Sequence, residues 1–560
     1  MPAKRRHTVP TCPGGWAQRR TILRKTRGLR ALVTLAAFGL ALLPVVVRAQ
    51  AAPPAAAYSL PPLQLPGPAD GEALLISRVE FVGRQSLPEA DLQALAAPFL
   101  NRPLRLLDVE ELRQRVTRAY VDRGYVNSGA LLPEQALQSG TLRLTIIEGR
   151  ITQTRFQGLD GLNPNYLRSR LLRPDEPLAL PQLQQRFATL LDDPMIERMN
   201  ARLLPGQALG ESTLDVELTR ARPWRLALFA NNQGAPAVGS AVAGAELQLF
   251  NLSSWGDQLA ATLSRSGGST QYDLGWTLPL AASRSTVQLR AARSHSSVIE
   301  EPLSTLDLGS RVDTQEISFN HPVLDNATQR LSLGLSYARR DNRTTLDGEP
   351  FSFVAGEASG TTRVRAWRFF QDATLRLDRH VLALRSTFVF GRNNLPAETL
   401  VHGQPSTQYR LWVGQAQGAL ALGDGGAQLV LRGLLQYSRD ALVPLEQISI
   451  GGRYTVRGYR ENTLVRDRGW ATSAELHWPL ATGSTPRRRL WLLPFVDAGS
   501  AHNQGGKSQR LASAGLGLRA QFDNIDAEIY VARRLERRPV DTRGDLQDHG
   551  IHLSVRWLAF

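Results

Sequence analysis

The chain has 560 residues, 42% of them apolar and 21% charged, with 47 Gly, 33 Pro and a single Cys. That composition excludes a disordered, collagenous or coiled-coil protein and leaves room for two to four domains. The formal charge of +16 is unevenly spread. Residues 1–50 hold ten Lys/Arg and no acid, leaving 16 − 10 = +6 on the rest, which excludes a broad basic face for nucleic acid.

Residues 1–49 read as a signal peptide. A basic stretch precedes an apolar run from Ala31 to Val47, interrupted by Pro44, and small residues follow at Ala49 and Ala51. The run is too short for a comfortable span of about 20 residues. Cys12 lies in this leader, so the exported chain has no thiol for a disulfide, a nucleophile or a metal site. Export without cysteine points to the bacterial cell envelope. Residues 50–73 are a Pro/Ala-rich linker, too short to hold both a plug helix and a spacer.

Residues 74–150 and 151–222 carry one pattern twice. In the first copy a strand at Ile76–Gly83 precedes a helix at Pro88–Leu100. A second helix follows, with Asp108 as N-cap and Glu111 as its capping-box partner. Leu112, Val116 and Tyr120 share a helical face. Strands at Val126–Leu132 and Thr141–Ile147 close the unit. The second copy predicts a strand at Ile151–Gly158, helices at Pro164–Leu172 and Leu180–Leu191, and strands at Ile196–Leu204 and Ser212–Leu218. Both copies read β-α-α-β-β.

Over residues 223–560 the helical period gives way to alternation in runs of about ten residues, punctuated by Gly, Asn, Asp and Pro. Leu331, Leu333, Leu335 and Tyr337 alternate with Ser332, Gly334, Ser336 and Ala338. Leu516, Leu518 and Phe522 alternate with Gly517, Arg519 and Gln521. Alternation alone does not say which face is outside. Strand number, strand length and export favour a membrane-spanning antiparallel β-barrel of about 16 strands over a soluble sandwich. Phe560 falls out of phase with Ile551, Leu553, Val555 and Trp557. The last strand is therefore expected to be bulged near Leu558, or to end outside the ladder.

Gly451-Gly-Arg-Tyr-Thr-Val456-Arg457-Gly458-Tyr459 interrupts the barrel pattern, and Phe495-Val-Asp497-Ala-Gly499 follows on a later strand. The first module carries Gly124-Tyr125 and Ser128 before Pro133 and Gln135. With these motifs the chain resembles the Omp85 superfamily, and within it the two-partner secretion transporters of the haemolysin-activator type. The resemblance implies a transmembrane barrel preceded by two periplasmic POTRA domains. It also implies a loop folded into the lumen, with Val456, Arg457, Gly458 and Tyr459 at its tip and Arg457 meeting Asp497 on the wall strand marked by Phe495 and Gly499. It implies capture of a secreted exoprotein by the POTRA domains and its passage through the barrel, in an outer-membrane protein expected to be monomeric, surrounded by lipid and without nucleic acid. An outer-membrane assembly factor and a passive porin are the competing readings.

No cofactor, metal or catalytic site is expected. Gly505-Gly506-Lys507-Ser508 lacks the first glycine of a phosphate loop and reads as a hairpin connection. His549 and His552 read as partly solvated residues near the barrel end.

Overall fold

The computed structural model describes residues 74–559 apart from 136–139, 174, 281–283, 397–403, 483–487 and 537–543. The signal peptide, the linker with the expected absence of a plug helix, and Phe560 lie outside the described residues.

The first module consists of β1 (Arg78–Val82), α1 (Glu89–Ala96), α2 (Leu106–Asp122), β2 (Gly129–Leu131) and β3 (Thr141–Ile147). β1 runs parallel to β3, and β2 antiparallel to it. The helices cover one face of this sheet, burying Leu92, Leu112, Val116 and Tyr120 against Val79, Leu142 and Leu144. Three details differ from the sequence reading. α2 starts three residues early. Its N-cap is Arg105, and Asp108 sits at N3, reaching back to accept the Arg105 N–H at 2.7 Å. Glu111 instead pairs with Arg115 one turn on. The first helix stops at Ala96 and tightens into a 3₁₀ turn at Ala97–Phe99, and β2 is only three residues long because Tyr125–Ser128 forms a turn.

The second module repeats the order with β4 (Arg150–Gln157), α3 (Pro164–Leu171), α4 (Leu180–Leu191), β5 (Ile196–Pro205) and β6 (Glu211–Arg220). Its sheet is again one parallel and one antiparallel pairing on a central last strand. Its core takes in Phe250 from beyond the module.

Sixteen spanning strands then close into an antiparallel barrel. They are β7 (Trp224–Asn231), β8 (Val242–Phe250), β9 (Gln258–Arg265), β10 (Ser269–Pro279), β11 (Thr286–Ser297), β12 (Gly309–Asp325), β13 (Gln329–Leu346) and β14 (Thr361–Leu377). The second half is β15 (His380–Asn393), β16 (Gln408–Leu422), β17 (Ala427–Ser438), β18 (Arg468–Thr482), β19 (Arg488–His502), β20 (Gln509–Phe522), β21 (Ile525–Arg534) and β22 (Ile551–Ala559). The Gly505–Ser508 stretch lies in the β19–β20 connection.

Exposure decides which face is which. On β13, Ser332 and Ser336 are 6% and 2% exposed, whereas Leu333 and Leu335 are 37% and 45% exposed. The apolar face is the outer one, the reverse of a soluble sheet, and a closed ring leaves no edge for lipid to strand. No helix among the described residues is long and apolar enough to cross a membrane. The ring closes between β22 and β7 in unbroken register from Ser554↔Asn231 to Ala559↔Leu226, so the expected bulge near Leu558 is absent. The phase of Phe560 alone does not force one, because a residue at the end of a ladder can leave it without disturbing the pairs before it.

Candidate functional site in the barrel lumen

Between β17 and β18 the chain does not turn back directly. It runs inward, makes a 3₁₀ turn at Pro444–Glu446, and forms a small hairpin from Ile448–Ile450 and Leu464–Arg466. The hairpin carries the Gly451–Thr463 tip. Its apolar core of Ile448, Ile450, Val456, Tyr459 and Leu464 packs on Ala471, Ala501 and Leu511 of the barrel wall. These residues line the inside of β18, β19 and β20, so the loop is folded into the lumen.

The tip centres on Arg457, which is 1% exposed. Its Nε and Nη2 each donate to Asp497 at 2.8 Å, and its backbone N–H donates to the same carboxylate at 3.0 Å. Nη1 pairs with Glu475, and Nη2 also donates to the Ser473 hydroxyl at 3.0 Å. Ser473, Glu475, Phe495 and Asp497 form one square on the wall, since Ser473 stands opposite Asp497 and Glu475 opposite Phe495. The guanidinium carbon sits over the Phe495 ring, 3.5 Å from its centroid, with the Tyr530 ring centroid at 4.9 Å. A planar fork of donors fits two carboxylates and an aromatic face in a way an ammonium does not.

The flanking motif residues fix the approach. Gly458 has φ +87°, and a Cβ there would sit 2.9 Å from that of Ala532. Its N–H donates to Nε2 of His552 at 3.0 Å, and its carbonyl accepts from Arg534. The Tyr459 hydroxyl lies 3.0 Å from the Ala512 carbonyl and 2.9 Å from that of Glu536. A Cβ on Gly499 would come within 3.0 Å of Val456 and 2.9 Å of Ile450, so the bare wall there makes room for the loop.

Several residues outside the motifs share this work. Glu475 is also held by His477 at 2.7 Å, and Arg453 reaches Glu528 at 2.6 Å while stacking on Tyr530. His552 is completely buried beneath the loop rather than partly solvated, because Gly458 and the tip cover it. The signal for Glu475 was present: an acid on the polar phase of a spanning strand, two residues from Ser473. Nothing local distinguished His552, whose partner is 94 residues away.

The loop stem is anchored on the other wall. Glu446 pairs with Arg368 of β14 at 2.6 Å and lies 3.4 Å from Arg340 of β13. Asp467 ties the two legs together, accepting from the Leu442 N–H at 2.9 Å and the Gln447 amide at 3.0 Å. The loop thus crosses the lumen, with ionic anchors at both ends.

At the other end of the barrel the second module is docked. The Tyr166 ring packs against Gly256 in the β8–β9 turn, where any Cβ would come within 2.1 Å of it. Asn163 N–H donates to the Ser254 carbonyl at 2.8 Å, and the Asn251 amide to that of Gly161 at 3.2 Å. Tyr166 is oriented by its hydroxyl, 2.5 Å from Asp193, and burial beside that carboxylate raises its pKa.

Comparison with known proteins agrees with this architecture. Residues 210–520 match the family described as haemolysin secretion/activation protein ShlB/FhaC/HecB, and residues 74–149 match the ShlB-type POTRA domain. The outer membrane transporter CdiB of Dickeya dadantii is 24% identical over 81% of this chain and 80% of its own length. The hemolysin transporter protein ShlB of Serratia marcescens is 26% identical over 82% of each. Among solved structures, CdiB from Escherichia coli superposes with a TM-score of 0.68 at 20% identity, covering 90% of this chain and 94% of its own. BamA from Haemophilus ducreyi lacking POTRA domains 1–3 gives 0.52 at 15%, covering 87% and 100%. The chain belongs to the haemolysin secretion/activation (ShlB/FhaC/HecB) family of two-partner secretion transporters, and is an outer-membrane barrel with its POTRA region in the periplasm.

Proposed function

We propose that the two β-α-α-β-β modules, taken as residues 74–150 and 151–222, capture an unfolded exoprotein in the periplasm and deliver it to the barrel of residues 223–560. Extended client segments add to a module's sheet edge through backbone hydrogen bonds, which tolerates varied side chains. β1 and β4 each pair on one side only within their sheets, which supports this mode. Passage goes through the lumen, acts on a single lipid-embedded chain, and needs withdrawal of the loop. Val456, Arg457, Gly458 and Tyr459, with Phe495, Asp497 and Gly499 on the wall, form the latch that holds it.

The observation that carries this reading is the loop's double anchorage, Arg457 between Asp497 and Glu475 at the tip and Glu446 on Arg368 at the stem. A wall of a passive porin needs no such crossing element. The test is export of the partner exoprotein from cells carrying the chain with a disulfide engineered between the loop tip and the wall. Secretion should stop under oxidising conditions and return on reduction. Unchanged secretion with the loop locked would overturn the proposal.

A further inference from the structure

The outer surface of the barrel carries a charged feature that neither the lumen loop nor module docking uses. On β13 to β16, Arg339, Arg343, Arg363, Arg365, Arg392 and Arg410 all point outward and are exposed. Pairing sets Arg339 directly opposite Arg365, and Arg365 directly opposite Arg392. With strands about 4.8 Å apart, three guanidinium side chains start from a row about 10 Å long. Arg410 stands opposite Phe390, one outward position below Arg392. On these strands the patch contains one acid, Asp341, bonded to Arg339 at 2.7 Å and standing opposite Arg363, and Asp440 just beyond β17 accepts the Arg410 backbone N–H at 2.7 Å. Among the described residues no carboxylate lies within ion-pair distance of Arg343, Arg363, Arg365, Arg392 or Arg410. Six cations and two acids leave 6 − 2 = +4. Like charges placed directly opposite weaken a sheet, so the row is poised for an external anion.

Its height on the barrel identifies that anion. Chain order puts the Leu377 end of β14 on the periplasmic side, because β7 leaves the second module at Trp224 and the strands alternate from there. Outward positions of β14 run Leu377, Leu375, Ala373, Gln371, Phe369 and Trp367, uncharged throughout with Gln371 the one polar residue, and the next one up is Arg365. From Leu377 to Trp367 is 377 − 367 = 10 steps. That is about 33 Å of strand, or roughly 25 Å of height at a tilt of about 40°, the thickness of the apolar band of such barrels. Trp367 stands opposite both Tyr337 and Phe390, a cross-strand aromatic line at the upper boundary of the band. The arginine row begins one outward position above it, at the headgroup level of the outer leaflet. On the neighbouring strands Arg311 stands opposite Arg343, but Arg311 and Arg293 are both paired with Asp313; farther round the rim Arg265 faces Ala243 and Thr270, Arg510 faces Ser500, and Arg533 faces Ala514.

We propose that this face of β13–β16 is a binding site for the phosphate groups of a phosphorylated glycolipid of the outer leaflet. Arg365 and Arg392 form its centre, and the acyl chains lie along Phe369, Phe388 and Trp412, which face one another across β14, β15 and β16. Guanidinium forks take phosphate oxygens in pairs, and basic clusters at a membrane boundary select anionic headgroups.

The test uses the full chain, purified in a zwitterionic detergent and titrated with bisphosphorylated lipid A, the same lipid with both phosphates removed, and inorganic phosphate. Binding is read by native mass spectrometry and by heat-modifiable gel mobility. R365Q/R392Q should bind lipid A about tenfold more weakly or worse, the effect of losing charge-assisted contacts. R379Q, which removes an arginine from the periplasmic β14–β15 turn, should bind as the parent does. Without lipid, R365Q/R392Q should melt at or above the parent temperature, since two opposed charges are gone. Equal binding of lipid A by both proteins, equal binding of the dephosphorylated lipid, or full displacement by inorganic phosphate would overturn the proposal. So would a lower melting temperature of R365Q/R392Q without lipid, which would make the row a structural element of the barrel.

Discussion

Gly458 at the tip of the lumen loop donates its backbone N–H to His552 on the strand that closes the barrel, 3.0 Å away. The loop and the closing seam are therefore one bonded assembly. Arg534 reinforces the link by donating both to Gly458 and to the carbonyls of Gln547 and Asp548 just ahead of β22.

Arg457→Ala should release the tip. It leaves Asp497 buried without its cation and takes from Glu475 the guanidinium the two share, with only His477 and Arg432 left beside Glu475, a loss of about 3–5 kcal/mol in loop docking. Export should fall several-fold, and single-channel recordings should show longer open events. Reversing the pair as R457D/D497R should recover part of the export that each single reversal loses, because Glu475 and the Phe495 face still favour a guanidinium at that point. No recovery in a secretion assay would argue that the two residues do not act as a pair.

Glu446→Gln should loosen the stem without touching the tip. Arg368 and Arg340 would lose their shared acid, weakening the anchor by about 1.5–3 kcal/mol. Because the two anchors lie on different walls, E446Q and E475Q should have near-additive effects on conductance in planar bilayers. Strong non-additivity would mean that the loop moves as one rigid body from a single latch.

The seam between β22 and β7 is extended by a side chain. Beyond Asn231, the Asn232 amide accepts from the Leu553 N–H at 2.8 Å and donates to the Ile551 carbonyl at 2.9 Å, doing the work of another ladder residue. Gln547, fully buried, donates to the carbonyls of Asn232 at 2.7 Å and Gly234 at 2.8 Å and accepts from the Glu461 N–H at 2.8 Å. Gln547→Ala should leave three backbone groups short of a partner, that of Asn232 buried and those of Gly234 and Glu461 partly so, and cost about 1–3 kcal/mol. Heat-modifiability on gels should show unfolding at a lower temperature. Cysteines at Phe229 and Arg556, which stand opposite each other in this seam, should cross-link it. Export through the lumen should survive that bond, whereas release through the wall should not.

Gly256→Val should disturb the joint between the second module and the barrel, because the new side chain would meet the Tyr166 ring. Module and barrel have separate cores apart from Phe250, so both should stay folded while export drops several-fold. Limited proteolysis should then cut faster near residues 220–223. An unchanged cleavage rate and normal export would show that the joint is not needed for delivery.

Local rules carried much of the architecture. Helical spacing and turn residues marked the two modules, and α4 runs from Leu180 to Leu191 as its apolar period predicts. Period-2 alternation marked the barrel strands, since each face of a strand meets one medium over its whole length. Caps were less legible. An acid at N3 and a residue at the N-cap both answer free helical N–H groups, and Asp108 fits either position until the backbone is seen.

Sequence by itself determined that residues 223–560 alternate, that they are too many and too long for an ordinary sandwich, and that Arg457 and Asp497 sit in motifs of one family. It did not determine which side of each strand meets lipid, because the same alternation serves a wet lumen or an apolar core. Closing the ring decided that, by putting Leu333 outside and Ser332 inside. Ring closure also brought Glu475, Tyr530 and His552 around one loop. Such a site is made by strands distant along the chain, and no spacing rule records contacts that exist only after sixteen strands have found their neighbours.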